Sequence, residues 1–287
     1  MQHVLDIVRR RVRLAYEPER ARRWSAMPRS TEDCLNALSS LFPVGEAFFC
    51  RSVARYRGRI TDPVLREQVA DFIFQEAMHS KEHSRANVAL RDANVLGREI
   101  ETAARLMLGF TERFLPPVTR LAVTCALEHC TTMLCAKLLT TQWPRNEATY
   151  KEFSKLWLWH AAEEIEHKAV CFDVYNHIFG TGFWAWLHRV GSMAGVTVIG
   201  ATGLMIAFGV ASLKGFMMKE QGGAKDKAPT ERVSPSMRSI FRSMSFKVYL
   251  DYYRRDFHPD MHDHSNLLEA WKRENPGFGL DHGQQAA

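Results

Sequence analysis

Four stretches of this chain place acids or imidazoles inside otherwise apolar helical text, and their order restricts the fold more than any other feature. They are Glu46 in FPVGEAFF, Glu76 and His79 in FIFQEAMHSKEH, Glu128 in CALEHC, and Glu164 and His167 in LWHAAEEIEHKAV. Positions i and i+3 of an α-helix share a face, so each Glu-x-x-His pair points a carboxylate and an imidazole at one place. A lone pair of this kind is common. The series Glu, Glu-x-x-His, Glu, Glu-x-x-His on four successive helices is not.

Local signals supply those helices. Ser30 or Thr31 can cap a first helix to about Ser40, and a further helical segment follows Pro43. Asp62 followed by Pro63 starts a helix running to about Leu90, since Asp62 can cap while Pro63 takes the first helical position. Residues 92–116 form a long connection with a helix of its own. Helices then cover about 118–141 and 147–178, with a break at Trp143-Pro144 and an end at Gly180 and Gly182. Almost nothing alternates with period two. The expected fold is all-α: a ferritin-like four-helix bundle over residues 31–180, two hairpins joined by one long crossover, with additional N- and C-terminal helices.

Hairpin geometry then levels the acids. With turns near residues 60 and 145, Glu46 lies 14 positions before the first turn and Glu76 16 after it, while Glu128 lies 17 before the second and Glu164 19 after it. Each pair meets within about one helical turn of the same height. Four carboxylates buried at one level repel each other and are strongly desolvated unless cations neutralise them. Two divalent ions carry the matching charge.

The flanking segments are read as follows. Residues 1–30 form a basic helix rich in arginine, which accounts for most of the net charge of +6, and with no recognition motif beside it no nucleic-acid partner is expected. Residues 181–218 hold a long hydrophobic helix. Its uncharged run 190–213, ~36 Å as a helix, suits a membrane surface or span, or burial against the bundle or a homodimer partner. Residues 219–287 hold a polar linker, two short helices near 237–253 and 265–273, a solvated loop with His258, His262 and His264, and a disordered tail after Pro276. The six cysteines include no CxxC and read as reduced core thiols of a cytoplasmic, membrane-associated or free, protein.

FPVGEAFF, QEAMHSKEH, LEHCT and LWHAAEEIEHKAVCFDVY resemble the bacterial family of predicted metal-dependent hydrolases, which shares the ferritin-like di-metal signature. The row His160, Glu164, His167 is also similar to that of histidine-rich di-iron arylamine N-oxygenases. That likeness implies a seventh protein ligand and the set Glu46, Glu76, His79, Glu128, His160, Glu164 and His167. Otherwise His160 is a bundle-facing histidine hydrogen-bonded to a ligand carboxylate. His83, Glu163 and Asp173 are candidates for holding the ligands in place, Glu163 as acceptor from a metal-bound histidine. His129 points about 100° away from Glu128 and is excluded. Phe48, Phe49, Phe72, Phe74, Trp157 and Trp159 read as bundle core.

Carboxylates and imidazoles without thiolate suit two iron ions, with manganese or zinc as alternatives. The expected function is a di-iron enzyme using O2 as co-substrate to oxidise a small hydrophobic molecule, with an external electron donor. The alternative is a two-metal hydrolase of an ester, amide or phosphoester, which the apolar walls of the site disfavour. Iron storage is a third reading, set back by the long C-terminal third.

Overall fold

The computed structural model describes residues 6–141, 149–220 and 245–280. It is all-α among those residues. Helix α1 is a single turn, Pro18–Ala21. The bundle follows as α2 (Arg29–Ala54), α3 (Pro63–Asp92), α5 (Pro117–Thr140) and α6 (Lys151–His167), with α4 (Glu99–Phe114) as the crossover. Helix α7 (Val170–Phe179) extends the last bundle helix, ending at Gly180, whose positive φ of 75° favours glycine. Helix α8 (Phe183–Glu220) and two short helices, α9 (Phe246–Asp251) and α10 (Ser265–Glu274), complete the chain.

Two starts behave as the sequence predicts. Asp62 Oδ1 accepts from Val64 N at 2.8 Å and Leu65 N at 3.3 Å, and Pro63 and Pro117 each sit in the first turn of their helices. Helix α2 differs: it runs unbroken through Pro43. Proline at that position strands the carbonyl of Ser39. The side chain of Asn87 on α3 replaces the missing donor, with Nδ2 donating to Ser39 O at 2.9 Å. A neighbouring helix thus repairs the defect that sequence reasoning takes for a boundary. The helix expected over 147–178 is broken after His167, and its predicted turn near residue 145 lies outside the described residues.

The core forms layers. Leu35, Leu90, Leu138 and Trp157 belong to an apolar cluster at one end of the bundle, and Phe48, Phe72, Leu121 and Val174 to one at the other. The buried acids and imidazoles lie between these layers.

The basic N-terminal helix is corrected. Residues 6–17 form no helix, and they run as a strap over the bundle rather than as a solvated helix. Arg10 is 4% exposed, and its guanidinium donates to Glu163 Oε1 at 2.9 Å and to both oxygens of Glu166 at 2.8 and 2.9 Å. Two buried carboxylates on α6 demand that charge, which is why an arginine-rich segment abandons solvent. The tail expected to be disordered is ordered through Leu280: Gly279 O accepts from Arg11 N at 2.8 Å, and Phe278 packs on Trp271. At Gly279 φ is +71°, and a Cβ would stand 3.0 Å from Arg10 Cβ, so glycine is needed twice over.

The histidine loop is not solvated either. His258 Nε2 and Asp173 Oδ1 are 2.8 Å apart, and Lys168 Nζ donates to His262 O at 2.6 Å. Buried Arg189 on α8 donates to Arg254 O at 2.9 Å and lies over the Tyr252 ring, fixing the C-terminal segment to the bundle. Among the described residues no helix is long and apolar enough to cross a membrane. Most side chains of the run 190–213 from residue 201 onward lie outside them. The six cysteines are all free thiols.

Replacing Arg10 by Met strips the main countercharge from Glu163 and Glu166. Loss of about 3–5 kcal/mol of unfolding free energy is expected, read from denaturant midpoints. A loss below ~1 kcal/mol would show the strap to be ornamental.

Candidate metal centre

The structure brings all seven sequence-derived ligand candidates together. Ligating atoms of Glu46, Glu76 and His79 lie within 4.8 Å of one another, as do those of Glu76, Glu128 and His167, and those of His79, His160 and Glu164. Glu76 is shared by two of these groups. Glu164 Oε1 is central: it lies 3.8 Å from His79 Nδ1, 3.3 Å from His160 Nε2 and 3.6 Å from His167 Nε2.

Hydrogen bonds outside the cluster decide which imidazole nitrogen faces inward. Gln75 Nε2 donates to Val8 O and Glu166 Oε2, both at 2.9 Å, so its Oε1 is the acceptor for His167 Nδ1–H at 2.8 Å. His167 Nε2 then faces the acids, and it is the nitrogen that offers a lone pair there once its proton is lost. His79 Nε2–H donates to Glu163 Oε2 at 3.0 Å, which leaves Nδ1. For His160 the chain is longer. Asn87 donates to Ser39 O, so its Oδ1 accepts the Ser39 hydroxyl at 2.7 Å. Ser39 Oγ in turn accepts from His83 Nδ1–H at 2.8 Å, and His83 Nε2 accepts from His160 Nδ1–H at 3.1 Å. His160 Nε2 is left with its lone pair aimed at Glu164. Metal-bound histidines are characteristically held in this manner, the distal N–H donating to a fixed acceptor.

Inside the cluster the usual satisfaction of buried polar atoms fails. Both oxygens of Glu46, Glu76 and Glu128, Oε2 of Glu164, Nδ1 of His79, and Nε2 of His160 and His167 are buried with no hydrogen-bond partner. His167 Nε2 stands 3.0 Å from Glu76 Oε1, yet too poorly aligned for a hydrogen bond. So many orphaned donor atoms at one point, with no thiolate, fit a pair of divalent cations better than any protein partner.

The protonation pattern agrees. Burial and the charge of Glu76 push Glu46 well above the usual carboxylate range, and burial and Glu164 do the same to Glu128. Burial also opposes ionisation of Glu76 and Glu164, but adjacent imidazoles outweigh it and hold both low. Burial opposes charging His79 as well, yet Glu163 and Glu76 carry it up to about 10, and Glu164 and Glu76 raise His167 well above its ordinary value. Protons stand where cations would.

Of the three residues expected beside the ligands, Glu163 and His83 hydrogen-bond to the candidate ligands His79 and His160. Asp173 does not: it pairs with His258 away from the cluster. His83 lies near Glu46 and His160 with a ligating atom in range, but both its nitrogens are already engaged. His129 points away, its Nε2 3.2 Å from Val248 O. Phe48, Phe49, Phe72, Trp157 and Trp159 are buried core, while Phe74 lies partly exposed beneath Arg9 and Arg11. Sequence reasoning missed Arg10, Ser39, Gln75, Asn87 and Glu166.

A cavity of about 260 Å³ lies along α5, with Glu128, Lys137, Lys168, His262 and His264 among its lining residues. Both Glu128 carboxylate oxygens stay buried on the cluster side of it.

The family model described as "predicted metal-dependent hydrolase" matches residues 8–263. No curated protein and no solved structure matches the chain.

Two predictions follow the geometry. Metal titration of the chelator-treated chain in weak buffer should release at least the two imidazolium protons of His79 and His167, so apparent affinity rises with pH; uptake without acidification would contradict the assignment. His83→Ala should weaken metal binding ~10- to 100-fold by freeing the His160 ring, measured by competition with a chelator, with unchanged affinity as the contrary result.

Proposed function

This chain belongs to the family of predicted metal-dependent hydrolases, and from that premise and the buried carboxylate–imidazole cluster we propose a two-metal hydrolase acting on an ester, amide or phosphoester. Glu46, Glu76, His79, Glu128, His160, Glu164 and His167 would hold the ions. When bound, two divalent ions supply Lewis acidity toward the scissile group and lower the pKa of attacking water.

The chain's own residues do the rest. Glu163, Gln75 and His83 keep one nitrogen of each ligand imidazole directed inward. Phe42, Phe72 and Trp159 stack or abut the imidazoles and exclude water from the remaining sides. Lys168, one residue beyond His167, is turned into the cavity wall by the break between α6 and α7.

The carrying observation is the family match over residues 8–263; the cavity beside Glu128 adds Lys137, Lys168, His262 and His264 as polar groups within a largely apolar lining. A second reading, O2-dependent oxidation by two irons, is favoured by the donor set: four carboxylates and three imidazoles without a thiolate also suit iron or manganese. Metal identity separates from reaction class in one assay. Chain reconstituted with zinc, manganese or iron should hydrolyse 4-nitrophenyl acetate or bis(4-nitrophenyl) phosphate equally well with and without air, and Glu128→Ala should abolish this. Turnover only with iron, O2 and a reductant would overturn the hydrolase in favour of the oxidase.

A further inference from the structure

The cavity over α5 is informative about what enters it. Its floor is the stripe Glu128, Thr132, Ala136 and Thr140, spaced four apart on one face, and its roof is the C-terminal segment with Val248 and Leu267. Met133 and Phe172 add apolar wall. At about 260 Å³ it lies near the lower edge of small-molecule pockets, too small for a folded partner.

Charge is distributed unevenly along it. The acidic end is Glu128, inside the metal cluster. Nine residues further along α5, ~13 Å at helical rise, stands Lys137. Lys168 is already engaged by His262 O at 2.6 Å and Asp260 at 3.5 Å. Lys137 has no acidic partner among the described residues. Burial lowers His264 to about 4, so that wall contributes a neutral imidazole. A buried nitrogen of His264, Nδ1, has no hydrogen-bond partner.

We infer that this cavity binds an elongated amphiphile with an anionic end group, its acid at Lys137, its alkyl or aryl body over Ala136, Met133 and Phe172, and its scissile bond at Glu128. Which bond is cut rests on the two-metal hydrolase reading; occupancy of the cavity does not. Along the α5 axis Lys137 and Glu128 are ~13 Å apart, which sets the length scale of the probe.

The test uses the full chain, both chelator-treated and metal-loaded, with decanoate as probe and decyltrimethylammonium as the same body bearing the opposite charge. Calorimetry should show saturable decanoate binding to both forms and at least tenfold weaker binding of the cationic probe. Lys137→Glu should weaken decanoate at least tenfold while leaving metal content unchanged, and Ala136→Trp should block it by filling the floor. Equal binding of the two probes, or decanoate binding unaffected by both substitutions, would overturn the inference, as would no binding to either form. Metal analysis of the same samples reports on the metal centre separately: decanoate bound by a chain unable to take up metal would support this inference and sink the hydrolase.

Discussion

Four carboxylates at one level of a helical bundle set the terms for everything around them. Glu46, Glu76, Glu128 and Glu164 are all but excluded from solvent, and burial without compensation costs more than the whole stability of a typical domain can absorb. Compensation comes in two shells. Close by, imidazoles share the charge, and the orphaned oxygens fit divalent cations. Farther out, the N–H groups of those imidazoles are received by Glu163, Gln75 and His83, which are in turn held by Arg10, Glu166 and Ser39. The apolar layers at either end of the bundle keep water from intruding.

This arrangement explains features that look unrelated along the chain. Pro43 within α2 strands a carbonyl, Asn87 answers it, and the same Asn87 fixes the orientation of Ser39 and hence of His83 and His160. A helix defect and an imidazole tautomer thus share one amide. Similarly, the strap at the N-terminus forms no helix because Arg10 must reach Glu163 and Glu166. Gly279 lies against that strap with no room for a side chain, so the C-terminal tail and the strap are packed as one.

Much of this was legible in the sequence, and the reason is periodicity. Acids at helical spacing within apolar text, levelled by hairpin arithmetic, indicate both the bundle and the cluster, because helix rise is nearly invariant. Long-range compensation was not legible. Arg10 sits in an arginine-rich segment that reads as solvated, and its one signal lies far away, in Glu163, Glu164 and Glu166 crowding a buried helix. Gln75 and Asn87 carry no charge and no periodic mark. The break after His167 escaped because Lys168 and Ala169 are ordinary helix formers; the turn serves tertiary contacts of Lys168 with the histidine loop. Asp173 sat at plausible spacing but faces His258. The cavity depends on a C-terminal segment folding back over α5, which local pattern does not encode.

Anomalous X-ray diffraction from crystals of the metal-loaded chain tests the central proposal most directly, since it reports position and occupancy without reference to substrate. Two adjacent ions held among Glu46, Glu76, Glu128 and Glu164, with His79, His160 and His167 each presenting the nitrogen assigned above, is the predicted result. Density for no ion between the four helices, or these carboxylates turned away from one another in the loaded protein, would contradict it.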